Sequence, residues 1–342
     1  MAVYVEMRST MFSRFPRTTL VLGYVLALFV GLGIGSWLQK GTNDSLVVTT
    51  IREPEGKYHY INPLIGCNSG EKNTFQEYAN LEKDLRAVIT QFKNLGKIYS
   101  ASVYFRDMES GKWTGVSEEE LYSPASLYKV ALMIAVLRKS EDNPKLLDEN
   151  ITFLGSRSSE RPDAPPMTVG KAYHVRELLE RLVILSDNDA KDILRDKVGI
   201  EAASNVFIDL RLNEPGLNET GDSMSARTYS RFFRALYNAT YLNRSDSEYA
   251  LSLLSKVEFK SGIINGLPLE ARTLPIAHKF GYRTFPDPLD RVTEEIHDCG
   301  IVYVPDRPYF VCIMTKGTVQ TDLMDAIQAI SGLVYRETVI KK

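Results

Sequence analysis

From Thr18 to Gln39 the chain is almost uninterrupted apolar sequence without a charge, and about twenty such residues in a helix span the hydrocarbon core of a bilayer. Beyond it the apolar positions take up two other rhythms. Tyr78, Leu81, Leu85, Val88, Ile89 and Phe92 make one helical stripe that stops at Gly96, and Thr74 to Glu77 ahead of it has capping-box spacing. Ile98 to Arg106 and Lys112 to Val116 read as a hairpin around Ser110-Gly111. Val130 to Leu137 is apolar on every side, which predicts a buried helix, and Ser123-Pro124 supplies a start signal for it. Val175, Leu178, Leu179, Leu182 and Leu185 form a second stripe that runs directly into Ser186-Asp187-Asn188. Leu274 to Gly281 looks extended, Glu295 to Val304 and Tyr309 to Thr315 flank a turn, and Asp322 to Tyr335 closes as a helix. The pattern predicts an α+β domain: terminal helices beside an antiparallel sheet, with a helical insertion.

Charge orients the N-terminal span. Arg8, Arg14 and Arg17 precede it and only Lys40 follows closely, so the positive-inside rule leaves residues 1–17 in the cytoplasm and sends the rest outside. The expected organisation is an anchor at 18–39, an extracytoplasmic tether at 40–72 and a catalytic domain at 73–342; a cleaved signal peptide ending near Gly33 to Ser36 is the alternative. The 342 residues are 44% hydrophobic and 25% charged with a net charge of -2, which excludes general disorder and gives no support for nucleic-acid binding. Four histidines lie scattered without metal-ligand spacing, so neither metal nor cofactor is expected. Three cysteines, Cys67, Cys299 and Cys312, lie on the exported side, with Cys67–Cys299 one possible bridge among three pairings and three buried thiols the other reading.

The chemistry sits in three short strings: S-L-Y-K at 126–129, S-D-N at 186–188 and K-F-G at 279–281. Ser126 and Lys129 are three residues apart, hence on one face of a helix, where an amine can act on a hydroxyl. Serine is a poor nucleophile until a base takes its proton, and lysine serves as that base only where burial or neighbouring cations keep it partly neutral.

In motif order and local setting, residues 73 to 340 resemble the class A β-lactamases and the related penicillin-binding D,D-peptidases. The resemblance implies a β-lactamase-like fold, with an antiparallel sheet, flanking terminal helices and an all-helical subdomain carrying the first two motifs. It implies Ser126 as acylated nucleophile, Lys129 as its proton partner and Ser186 as proton relay to the leaving nitrogen. Asn188 would hold the substrate amide, Lys279 would supply positive charge, Gly281 completes the third motif, and the N–H groups of Ser126 and Tyr282 would hold the oxyanion. Glu214-Pro215-Gly216-Leu217-Asn218 reads as the family's water-positioning loop, with Glu214 activating the deacylating water; a surface turn is the other reading of the same residues.

Two features depart from the family pattern: Phe280 within the third motif, and the runs Asn188 to Glu214 and Asn218 to Met224-Ser225, which are shorter than in a typical class A enzyme. Lys260-Ser261-Gly262 matches the third motif more closely than Lys279-Phe280-Gly281, but it follows the helical run Tyr249 to Val257, where such residues are ordinary helix-end chemistry. Phe280 replaces a hydroxyl that the family uses on the substrate carboxylate, a contact that Arg283 is placed to take over unless it is simply a solvated strand arginine. The expected activity is β-lactam hydrolysis through an acyl-enzyme. A D,D-peptidase acting on peptidoglycan stem peptides is the alternative, followed by a catalytically silent wall-binding module.

Overall fold

The computed structural model describes residues 50–52, 58–67, 78–156, 164–212, 224–286 and 292–340. The apolar span 18–39, the Thr74 to Glu77 capping box and the Glu214 loop lie outside them, and no helix among the described residues is long and apolar enough to cross a membrane.

A short ribbon pairs β1 (Thr50–Arg52) with β2 (Leu64–Cys67). The first long helix, α1 (Ala79–Asn94), buries Leu81, Leu85 and Ile89 along its stripe, and Gly96 follows it with φ 69, the left-handed conformation in which glycine carries no Cβ penalty. The hairpin β3 (Ser100–Asp107) and β4 (Trp113–Val116) comes next, then α2 (Tyr128–Asp142). A small pair, β5 (Asn150–Thr152) with β6 (Ala172–His174), leads into α3 (Val175–Ile184), α4 (Asn188–Val198) and α5 (Ile200–Asp209). After α6 (Ala226–Tyr237) and α7 (Arg244–Leu254), the chain returns through β7 (Ile276–Pro286), β8 (Val292–Val302), β9 (Tyr309–Gly317) and α8 (Gln320–Tyr335).

The main sheet is antiparallel in the order β4-β3-β9-β8-β7, so the first hairpin joins the last across β3 and β9. Its strands are buried on both faces. Val103, Phe105, Val311 and Ile313 face a core shared with α1 and α8, while Tyr104, Phe310 and Met314 face the larger core of the helical subdomain. Two-sided burial explains why these strands read as apolar runs rather than alternating ones. Val130 to Leu137 of α2 are buried all round, as the unbroken apolar run demands.

Two expectations change. A disulfide joins Cys299 to Cys312, whereas the suggested Cys67–Cys299 bridge is not formed. Register is the reason: Cys299 and Cys312 stand directly opposite on β8 and β9, and Cys67 belongs to the separate ribbon. Residues 58–63, read as tether, are held by the domain. The Glu248 carboxylate accepts the backbone N–H groups of His59 (2.7 Å), Tyr60 (2.9 Å) and Ile61 (3.0 Å), the Asn62 N–H reaches the Tyr237 carbonyl (2.8 Å), and Ile61 is buried.

Candidate active site

The turn that carries Ser126 is a 3-10 segment, Ala125–Leu127, that runs straight into α2. Ser126 is its middle residue and half-buried; Lys129 sits one turn later and is buried, so the two share a face as the spacing requires. Ala125, just before the serine, has φ 47, a left-handed conformation that costs a non-glycine residue about 1–3 kcal/mol unless its surroundings over-determine it.

Those surroundings were not legible in the sequence. Ser123 does not cap the helix as expected; its groups are taken by the sheet instead. Its N–H donates to Glu295 Oε2 (3.0 Å), its carbonyl accepts from His297 Nε2 (2.9 Å), and its Oγ accepts from Arg283 Nη1 (2.8 Å). Glu295 and His297 are both fully buried, and Lys316 Nζ lies 3.0 Å from Glu295 Oε1. Burial alone would raise the Glu295 carboxyl, but hydrogen bonding and charge from His297 and Lys316 outweigh it and hold the group below the ordinary glutamate range. A carboxylate with a depressed value stabilises the fold above its unfolded-state pKa of about 4.3, and that contribution is lost as pH falls through the folded value. Glu295→Gln is therefore expected to lower the melting temperature at neutral pH, with the gap from wild type shrinking below about pH 4. Thermal melts across pH check this, and a gap that widens in acid refutes the assignment.

The second motif forms a tight corner between α3 and α4. Ser186 has φ 55, and Asp187 caps α4 by accepting from the N–H groups of Asp189 (2.8 Å) and Ala190 (3.3 Å). Arg181 fixes that cap, its Nε donating to Asp187 Oδ2 (2.7 Å). The three residues of the triplet thus act differently. The serine hydroxyl turns inward, the aspartate ends the turn, and Asn188 begins the helix with its carboxamide in the site.

Of the two lysines, the structure brings Lys279 to the second motif. Lys279, on β7, is fully buried and its Nζ donates to Ser186 Oγ at 3.0 Å. Lys260 lies in coil beyond the end of α7. From the other side Lys129 Nζ donates to Ser186 Oγ (3.1 Å), to Asn188 Oδ1 (2.8 Å) and to the Ser186 carbonyl. Burial, reinforced by the positive charge of Lys129 and only partly opposed by Asp298, pushes the Lys279 amine well below its ordinary value. Repulsion across a shared hydroxyl favours loss of a proton from the pair, which is the condition for a lysine to act as a base.

β7 is an edge strand of the sheet, and Gly281 presses it onto the turn that carries Ser126. A Cβ at Gly281 would lie 2.9 Å from the Pro124 carbonyl oxygen and 3.2 Å from Leu127 Cγ. Gly281→Ala must move strand or turn, and a displacement of this kind costs about 10²-fold in rate. Stopped-flow acylation by a chromogenic β-lactam measures it; an unchanged rate would mean that the contact does not set the geometry. Phe280 stacks on Phe259 (centroids 4.3 Å apart) and lies 4.2 Å from Lys279 Nζ, so an aromatic wall stands where the family pattern has a hydroxyl. Tyr282 and Arg283 are exposed on the same strand, with Tyr282 OH donating to Glu294 Oε1 (3.2 Å). The described residues contain no group of His, Cys, Asp and Glu arranged to hold a metal ion.

The family match and the relatives in sequence define a serine hydrolase of the β-lactamase type. A model of the Beta-lactamase enzyme family matches residues 80–338, and the chain belongs to that family. Relatives in sequence include a beta-lactamase of Streptomyces albus G, 27% identical over 263 residues (69% of this chain, 79% of that protein). Another, from Bacteroides uniformis, is 25% identical over 234 residues (61% and 77%). Among solved structures, the class A beta-lactamase from Mycobacterium abscessus matches with a TM-score of 0.64 at 20% identity, covering 75% of this chain and 98% of that one. PBP-A matches with a TM-score of 0.62, also at 20% identity, covering 75% and 95%.

Proposed function

We propose that the protein hydrolyses β-lactams through an acyl-enzyme on Ser126, working outside the cell membrane from the apolar anchor at 18–39. The observation that carries this reading is the pair of buried amines, Lys129 and Lys279, at 3.1 and 3.0 Å from one serine oxygen, with Ser126 a single helical turn from Lys129. Lys129, neutral, takes the Ser126 proton as Oγ attacks the lactam carbonyl. The developing oxyanion is held by the N–H groups of Ser126 and Tyr282. As the C–N bond breaks, Ser186 passes a proton from the lysine pair to the leaving nitrogen. Asn188 orients the substrate amide, Lys279 and Arg283 supply positive charge for a carboxylate, and Glu214 activates the water that releases the acyl group. The Cys299–Cys312 disulfide supports an oxidising, extracytoplasmic setting.

A specific observation favours a second reading. The Phe280–Phe259 stack stands where the family pattern has a carboxylate-binding hydroxyl, which suits a slow member of the family, whose acyl-enzyme persists, better than a fast lactamase. PBP-A, whose fold this chain shares, has a mutant described as an acyl-enzyme complex with penicillin G. Labelling with a fluorescent penicillin, run beside nitrocefin turnover, separates the readings. Transient label with turnover supports the lactamase, a lasting label without turnover supports the peptidase, and absence of both points to a silent module.

A further inference from the structure

At the β4–β3 edge of the sheet, opposite the β7 edge that carries Lys279, a cavity of about 260 Å3 opens against α6. Its walls carry four guanidinium groups, from Arg106 on β3 and Arg227, Arg231 and Arg234 on α6. The three helix arginines recur at i, i+4 and i+7, hence on one face, where like charges destabilise a helix by a few tenths of a kcal/mol per pair. Glu119 is the one carboxylate lining the cavity among the described residues, and it pairs with Arg227 at 2.8 Å. The Arg227 guanidinium also lies over the Trp113 ring, 4.3 Å from its centroid. Arg231 spends Nη1 on the carbonyls of Leu210 (3.2 Å) and Arg211 (2.7 Å). Arg234 Nε is buried with no hydrogen-bond partner among the described residues.

A structural ion-pair network would balance these charges with carboxylates, and among the described residues this wall does not. Burial, followed by the positive charges of Arg106, Arg231 and Arg227, pushes the Arg234 guanidinium below its ordinary value, a repulsion that a bound anion would offset. Planar guanidinium forks match phosphate oxygens two at a time, and a dianionic phosphate answers several cations where a single carboxylate answers one. The volume holds more than a bare ion, since a water occupies about 30 Å3 of liquid, and Trp113 offers an aromatic wall to whatever the phosphate is attached to.

We propose that this cavity is a binding site for a phosphate group, gripped by Arg106 and Arg234 and separate from the hydrolytic site. The phosphate belongs either to a small soluble ester or to a lipid headgroup. Trp113 is one of two tryptophans in the chain and stands in the cavity wall, so its fluorescence reports occupancy. The full-length protein is titrated with inorganic phosphate and with glycerol 3-phosphate at constant ionic strength, chloride serving as control. The same titrations are run on the double variant Arg106→Gln/Arg234→Gln.

A saturable fluorescence change and a rise in melting temperature are expected for wild type, with affinity falling by about tenfold or more in the variant, the ordinary cost of lost charge-assisted hydrogen bonds. Penicillin labelling stays unchanged in the variant, and its melting temperature without phosphate is equal or higher because repulsion is relieved. Sedimentation with phosphatidylglycerol vesicles that is weakened in the variant and competed by glycerol 3-phosphate assigns the lipid source. Soluble-ester binding without variant-sensitive sedimentation assigns the free ester. An identical response of variant and wild type, or of phosphate and chloride, overturns the proposal.

Discussion

Ser126→Ala is expected to abolish covalent labelling by a fluorescent penicillin and to cut any β-lactam turnover by about a thousandfold or more, because no other group replaces the attacking oxygen. The fold should survive. Ser126 is half-buried at the start of α2, its neighbours Ala125 and Leu127 are held by Gly281 and by the Ser123 contacts, and removing a hydroxyl leaves no cavity in the core. The measurement pairs gel fluorescence with a thermal melt. Label that persists on a folded Ser126→Ala protein would move the nucleophile to another residue and dismantle the proposed mechanism.

Lys129→Met should be nearly as severe for a different reason. The variant keeps the volume of the buried side chain but removes the base, and general-base catalysis is worth about 10²- to 10⁴-fold. Stability should move the other way from activity. Lys129 and Lys279 are two buried amines sharing Ser186 Oγ, and loss of one removes the repulsion that depresses the other. A melting temperature equal to or above that of wild type, together with acylation slowed by this factor, is the expected pair of results. Acylation at the wild-type rate would exclude Lys129 from the proton transfer. A large fall in stability would instead make it a structural lysine whose hydrogen bonds to Asn188 and Ser186 hold the corner together.

The candidate residues that the structure brings together, Lys129, Ser186, Asn188 and Lys279, are legible because nucleophilic chemistry leaves residue types in a fixed order, and each motif lies beside an element that periodicity alone predicts. The choice of Lys279 has the same basis: an extended segment ahead of a hairpin positions a side chain beside a cleft, whereas Lys260 follows a helix. What holds those residues was not legible. Ser123 looked like a cap because it precedes proline, yet contacts with residues 160 to 174 positions away claimed its N–H, carbonyl and hydroxyl. Tertiary competition of that kind leaves no local trace. Glu295 and His297 passed as ordinary hairpin residues, since alternation says which face a side chain takes and not what awaits it there. The cysteine pairing needed strand register, and the arginine cavity needed β3 and α6 brought side by side.

The clasp of Glu248 on three successive backbone amides has a practical consequence for anyone trimming the N-terminus to obtain a well-behaved sample. A version beginning after residue 63 would strand that carboxylate and expose the apolar seat of Ile61 to water. The safe cut lies upstream of Tyr58.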